Sequence, residues 1–332
     1  MELESVREVK AQLVERVAAP LSESPKRVAA FGVAATSVSN VQRHQPTVAL
    51  GVAPQGRRGY GLAVRIQHRA VGRAYEEEIR QAVRGEADIR YVGRIVKRQA
   101  GATSQQSRQR PLVIGISVGH FEVTAGTIGC FVQLAGRRRV AILSNNHVLA
   151  DENAGRRGDD VLQPGRFDGG RVPRDVVARL ERFVRLKPTG VNHVDCAVAT
   201  VADGIEVDRS HLAGGHTLAG VASDPEEVER VEKIGRTTGH TAGRITAFEV
   251  DNVVVGYDFG TARFDGQIEI EGETGPFSQG GDSGSLIFSS DAREGVGLLF
   301  AGSDVGGSND TGLTYANPFE PVLTQLRAEL LT

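Results

Sequence analysis

The sequence predicts a mainly β protein, built as a sandwich or closed barrels and preceded by a small α+β domain. Residues 112–332 break into many short apolar runs punctuated by Gly and Asp, the pattern of strands joined by tight turns. Glycine is abundant, at 41 of 332 residues, which favours turn-rich sheet over helical bundles. The first hundred residues instead mix helix-period segments with strand-like runs. Between the two, residues 99–111 are rich in Gln, Ser and Arg without periodicity and read as a linker. The expected organisation is a basic α+β accessory domain at 1–98, a linker at 99–111 and the β domain at 112–332.

Element by element, Leu3, Val6, Val9, Leu13 and Val17 repeat at helical spacing, so residues 2–18 form an amphipathic helix that ends near Pro20. Residues 27–33 and 47–52 are strand-like. Turn residues from Pro54 to Gly59 lead into a strand at 60–67. Tyr75, Ile79 and Val83 mark one face of a second helix stopped at Gly85, and Ile89, Tyr91 and Ile95 alternate as a strand. In the second region strands are expected at 112–118, 128–134, 140–143, 196–201, 244–248, 253–255, 267–270, 286–288, 296–301 and 313–316. A short amphipathic helix at 321–330 ends the chain.

Composition excludes several classes. No apolar run approaches the roughly 18 residues of a membrane span, and the N-terminus is charged from Glu2 with no apolar leader core. Cys130 and Cys196 sit in apolar strand-like runs and read as buried thiols rather than a bridge. The expected setting is a reducing cytoplasm. Residues 1–110 carry 19 Lys/Arg against 10 Asp/Glu, and residues 111–332 carry 20 against 31. The basic half can dock on the acidic half or meet an acidic partner. Arg57, Arg58, Arg65, Arg69, Arg73, Arg90, Arg94, Lys97 and Arg98 also admit a nucleic-acid stripe, but a solvated or docked basic face is the favoured reading. Gly51 and Gly56 lack the Lys-Ser/Thr of a phosphate loop. His211 with His216, or His193 with Cys196, lack a third ligand, so no metal or cofactor is expected.

Three polar sites stand at the ends of apolar runs. Ser283 lies in Gly280-Gly281-Asp282-Ser283-Gly284-Ser285, His147 follows Ile142-Leu143-Ser144-Asn145-Asn146, and Asp195 precedes Cys196-Ala197-Val198. A serine hydroxyl is a weak nucleophile until an imidazole takes its proton. That imidazole in turn needs a carboxylate to hold its tautomer and stabilise the imidazolium. Glycines beside the serine let backbone N–H groups converge where an oxyanion forms.

Residues 144–148, 194–198 and 280–285 resemble the three signature blocks of trypsin/chymotrypsin-like serine proteases, in that family's His, Asp, Ser order. Residues 231–246 are similar to a segment of its bacterial secreted members. Residues 297–303 with 316–318 look closest to intracellular bacterial members related to plant narrow-leaf-type proteases. The resemblance implies a chymotrypsin-like double β-barrel over 112–332. It implies His147 as general base and then acid, Asp195 as its orienter, Ser283 as nucleophile, and the Gly281 and Ser283 amides as the oxyanion hole. Protein or peptide would be the substrate.

Departures from the family pattern are informative. Val148 stands where secreted relatives have a bridged cysteine. No Ile-Val-Gly-Gly follows a cleavable basic residue, because Arg110 precedes Pro111. Asp282 therefore needs an internal partner, and Lys233 occupies the corresponding basic position. The resemblance places a specificity pocket between Phe277-Ser278 and Phe300-Ala301-Gly302. With Phe277 rather than an aspartate at its base, a small or apolar substrate side chain is expected, although Asp304 is within sequence reach. Phe300 stands where many relatives have a serine bonded to the triad aspartate, so Asp195 is expected to lose one supporting hydrogen bond. The overall expectation is a regulated intracellular serine endopeptidase. The alternatives are a catalytically silent binding protein on the same fold, or a protease tethered to an acidic partner or nucleic acid by residues 1–98.

Overall fold

The computed structural model describes residues 1–18, 48–55, 59–67, 75, 79, 87–93, 95–96, 104–136, 138–212 and 215–332. The expected strand at 27–33, most of the second helix, and Arg57, Arg58, Arg69, Arg73, Arg94, Lys97 and Arg98 lie outside these residues.

The fold is mainly β, with two barrel-like sheets, one closed and one open. In the closed one, Arg230–Gly235 pairs with Gly239–Asp251, which pairs with Gln267–Gly272. That strand pairs with Thr314–Pro318, then Glu294–Ser303, then Leu286–Ser289, which returns to Arg230–Gly235; every pairing is antiparallel. Alternation explains its interior. Val231, Ile245, Ile268, Ile270, Ile287, Val296 and Leu299 pack together inside, branched side chains that suit a pleated surface.

The second sheet runs in the order Ala328–Leu330, Cys130–Leu134, Val140–Ser144, Ala197–Val201, Val176–Phe183, Asp160–Leu162, Ser117–His120, Gly126–Thr127. The pairing of its last two strands is extended by Gly115 N–H to Ile128 O and Ile128 N–H to Ile116 O, both 2.9 Å. Its core includes Phe131, Ile142, Leu143, Val177 and Val198, and continues through Leu286, Leu298 and Phe319 of the other half. The two halves thus share one apolar seam, and strand ends open onto it.

Near the N-terminus, Val48–Gln55 pairs with Gly59–Ile66 and also with Gly239–Asp251 of the closed barrel. The helix Leu3–Leu13 packs its Val6 and Leu13 against these strands. Arg65 is fully buried and donates from Nε and Nη2 to Glu269 at 2.6 and 2.7 Å. Arg90 reaches Asp88 and Glu271. These two arginines are therefore withdrawn from any solvent-facing basic stripe, because each lies within reach of barrel carboxylates.

Several expected boundaries shift. The first helix ends at Leu13 and widens into a π turn over Val14–Ala18. The C-terminal helix is Phe319–Leu326 rather than 321–330. Arg327 takes a left-handed φ of 49° and turns Ala328–Leu330 onto Cys130–Leu134 as a strand. Val176–Phe183 and Arg230–Gly235 are strands that carry too many charges to announce themselves.

Candidate active site

His147 lies on a single helical turn, Asn146–Leu149, entered directly from the strand Val140–Ser144. Asp195 sits just before the strand Ala197–Val201, which pairs with that same strand in the register Ala197 to Ser144. Adjacent strand ends therefore set the two side chains side by side. His147 Nδ1 is 2.6 Å from Asp195 Oδ2. A carboxylate only accepts, so Nδ1 carries a proton, and in the neutral imidazole the lone pair lies on Nε2.

Asp195 is fully buried, yet every lone-pair direction has a donor. The Asn146 N–H donates to Oδ1 at 2.7 Å and the His147 N–H at 3.4 Å. The Tyr257 phenol donates to Oδ2 at 2.8 Å. The backbone around it is fixed by Asn145 Nδ2 donating to Asp195 O and by Asp195 N–H donating to Asn317 Oδ1. Position 300 indeed gives Asp195 nothing, but the supporting bond is not lost: Tyr257 supplies it from a different strand. Burial, then the Asp195 charge, hold the Tyr257 phenol well above its usual pKa, so it remains a donor.

The Ser283 turn is held by a second buried carboxylate. Asp282 Oδ1 accepts from the Thr237 N–H at 2.8 Å and the Thr238 N–H at 3.2 Å, and Oδ2 from the Gln279 N–H at 2.9 Å and the Thr238 hydroxyl at 2.7 Å. The Lys233 ammonium, also fully buried, lies 3.4 Å from Asp282 Oδ2 and donates to Thr238 and Gly239. Burial pulls the Lys233 pKa below its usual value, with Asp282 opposing that fall.

The turn needs its glycines. Gly281 and Gly284 have φ of 96° and 88°, and a Cβ on Gly281 would strike Arg236 and Thr237, while one on Gly284 would strike Ser144. Thr127 and Thr237 hydroxyls hold the carbonyls of Gly281 and Gly280. Within the turn the Asp282, Gly284 and Ser285 amides bond Gln279, Leu299 and Asp282; those of Gly281 and Ser283 take no part in this ladder.

Gly126 packs between the Ser283 backbone and the Val148 side chain. A Cβ there would lie 2.9 Å from the Ser283 carbonyl oxygen while colliding with Val148, the neighbour of His147. Among the described residues four buried side-chain polar atoms lack a hydrogen-bond partner, and two of them are His147 Nε2 and Ser283 Oγ. Buried polar groups are normally satisfied, at a cost of about 1–3 kcal/mol each when they are not.

The residues expected to line a pocket are placed as follows. Phe277 is 2% exposed, inside the closed barrel's core, with the Lys233 ammonium 5.6 Å from its ring. Phe300 and Ala301 are fully buried among Tyr257 and Phe264. The Ser278 hydroxyl is 2.7 Å from that of Thr314, and Gly302 pairs with Thr314 and Val96. Asp304 lies just beyond that strand and is exposed. His193 is exposed and His211 bonds Asp208, while the His216 side chain lies outside the described residues. Sequence reasoning missed Tyr257, Asn317 and the buried Arg236–Asp168 pair. Tyr257 had one signal: a phenol ending a run of valines must find a partner for its hydroxyl.

No protein-family model matches the sequence, and no curated protein matches it. Solved structures with a similar chain path include Thermobifida fusca protease A (18% identity, TM-score 0.45), Cellulomonas bogoriensis chymotrypsin (20%, 0.45) and Nocardiopsis protease (20%, 0.46). Each similarity spans 66% of this chain and 98% of the other. These neighbours are bacterial serine proteases of the trypsin/chymotrypsin type.

Proposed function

We propose that the chain is a serine endopeptidase. His147 Nε2 takes the Ser283 hydroxyl proton as Oγ attacks a peptide carbonyl. The Gly281 and Ser283 amides receive the developing oxyanion. His147 then returns the proton to the leaving amine as the C–N bond breaks, and water reverses the sequence on the acyl-enzyme. The observation that carries this reading is the pair of buried, unpartnered atoms His147 Nε2 and Ser283 Oγ, with Nδ1 already bound to Asp195. The test is hydrolysis of an unfolded protein substrate, followed as new N-termini. Wild type generates them and Ser283→Ala does not; equal rates in both would end the reading.

Regulation of the site is favoured by one further observation. The strand Glu294–Ser303 passes the nucleophile turn at Leu299, whose carbonyl accepts from the Gly284 N–H at 2.8 Å. Beyond that point its free edge is taken by Ile95–Val96, antiparallel to Gly302–Ser303, with Gly256 on the other side of Val96. A peptide adding to this edge as a strand must displace them. Val96→Pro in the full chain is expected to speed cleavage of long peptides without changing the reaction of Ser283 with a small acylating ester. Unchanged peptide cleavage in a folded variant would contradict this. A catalytically silent binder would instead show no hydrolysis in any variant. An intracellular setting is proposed from the two cysteines, both buried and free.

A further inference from the structure

We infer that Tyr257 is a positioning residue for the proposed site, acting through Asp195 on the orientation and basicity of His147. The inference rests on the protease reading above and deepens it. The Tyr257 phenol is buried and donates to Asp195 Oδ2, the same oxygen that faces His147 Nδ1. Its ring also stands edge-on to the imidazole, with centroids 6.1 Å apart and planes at 65°. One side chain therefore limits both how the carboxylate is polarised and how far the imidazole can swing.

The position of this phenol is over-determined. Tyr257 ends the strand Val253–Tyr257, which forms a hairpin with Gly260–Phe264. Its ring stacks on Phe259 at 5.3 Å and 5° and leans on Phe264, which packs on Phe300 at 4.7 Å. The hairpin tip is tied to the loop that follows His147 by the Asp258 N–H donating to Glu152 Oε2 at 2.7 Å. Glu152 sits in a run of three non-glycine residues, Asp151 to Asn153, with φ of 45°, 50° and 82°. Left-handed backbone of this kind is costly and persists where surroundings impose it. Here Asn153 is fixed by Asn146 and by the Leu186 carbonyl. The loop behind the histidine and the hairpin carrying the phenol are thus one clamped unit around Asp195.

The chemistry follows from sharing one oxygen. Two donors on Oδ2 divide its negative charge between them. With the phenol removed, more charge faces Nδ1, the imidazolium is stabilised, and a higher pH is needed to free Nε2 as a base. The ionisable groups in contact with the imidazole are Asp195 and Tyr257, and Glu152 holds the tip of the hairpin that carries Tyr257.

The test is Tyr257→Phe, which keeps the ring and its packing. The expected result is a roughly tenfold fall in kcat with KM within about twofold, and an upward shift of the pH at half-maximal activity. The downfield proton resonance of His147 Nδ1–H should move further downfield. Glu152→Ala, which unties the hairpin tip, should produce the same changes at smaller size. A folded Tyr257→Phe protein with unchanged pH profile and unchanged resonance would overturn the inference. If the resonance moves while wild type hydrolyses nothing, the positioning role stands and the protease reading falls.

Discussion

Asp195 and Asp282 are both fully buried carboxylates at one seam, and they are compensated in opposite ways. Asp282 has three backbone N–H donors, a threonine hydroxyl and a buried ammonium. Asp195 has backbone N–H groups, a phenol and an imidazole, with no fixed cation. A neutralised carboxylate is scaffolding: its charge is already answered and the turn around it stays put. A carboxylate held only by dipoles keeps its charge in reserve for a cation that appears during a reaction. On the proposed chemistry that cation is the His147 imidazolium.

Substituting each carboxylate's partners separates the two roles. The largest kinetic effect is expected from Asp195→Asn. Activity should fall by about 10⁴-fold, as the wrong tautomer is favoured, with the melting temperature little changed. Lys233→Met should act first on stability and through it on activity. Leaving Asp282 buried without its cation should cost about 3–5 kcal/mol, read as a lower denaturant midpoint, with activity falling because the Ser283 turn loosens. Adding Asp282→Asn to Lys233→Met should restore part of that stability; no restoration would mean the pair is not coupled as described.

A smaller effect concerns pH. Burial pushes the Glu271 carboxyl up, but the Ser308 donors, Arg244 and Arg90 outweigh it and hold it at about 2, below its usual 4.5. With the folded value below the unfolded one, its contribution is complete above pH 4.5. It is lost as pH falls toward 2. Wild type should therefore lose stability over that window faster than Glu271→Gln, measured as melting temperature against pH. The smallest effect is expected at His193, which is exposed and two residues from Asp195. His193→Ala should leave activity within about twofold and stability within about 0.5 kcal/mol.

What the sequence made legible follows from where chemistry meets periodicity. His147, Asp195 and Ser283 stand out because each interrupts or ends an apolar run, where a polar side chain needs a reason. The barrel strands around Val140 and Leu286 were readable for the same cause. Val176–Phe183 and Arg230–Gly235 were not, because Arg179, Glu181 and Lys233 obscure the alternation; Lys233 turns out to be buried against Asp282. At Phe277 and Phe300, both buried, apolarity alone does not tell core from pocket. Tyr257 and Asp195 are 62 residues apart, and nothing local joins them. Only the hairpin's return across the seam brings the phenol to the carboxylate.

On the proposed chemistry, Ser283 is an activated nucleophile. Intact-mass measurement after exposure to a fluorophosphonate tests it most directly. One adduct, mapped to Ser283 and absent in both Ser283→Ala and His147→Ala, is the predicted result. A folded wild-type protein that takes up no label, or takes it at another residue, would contradict it.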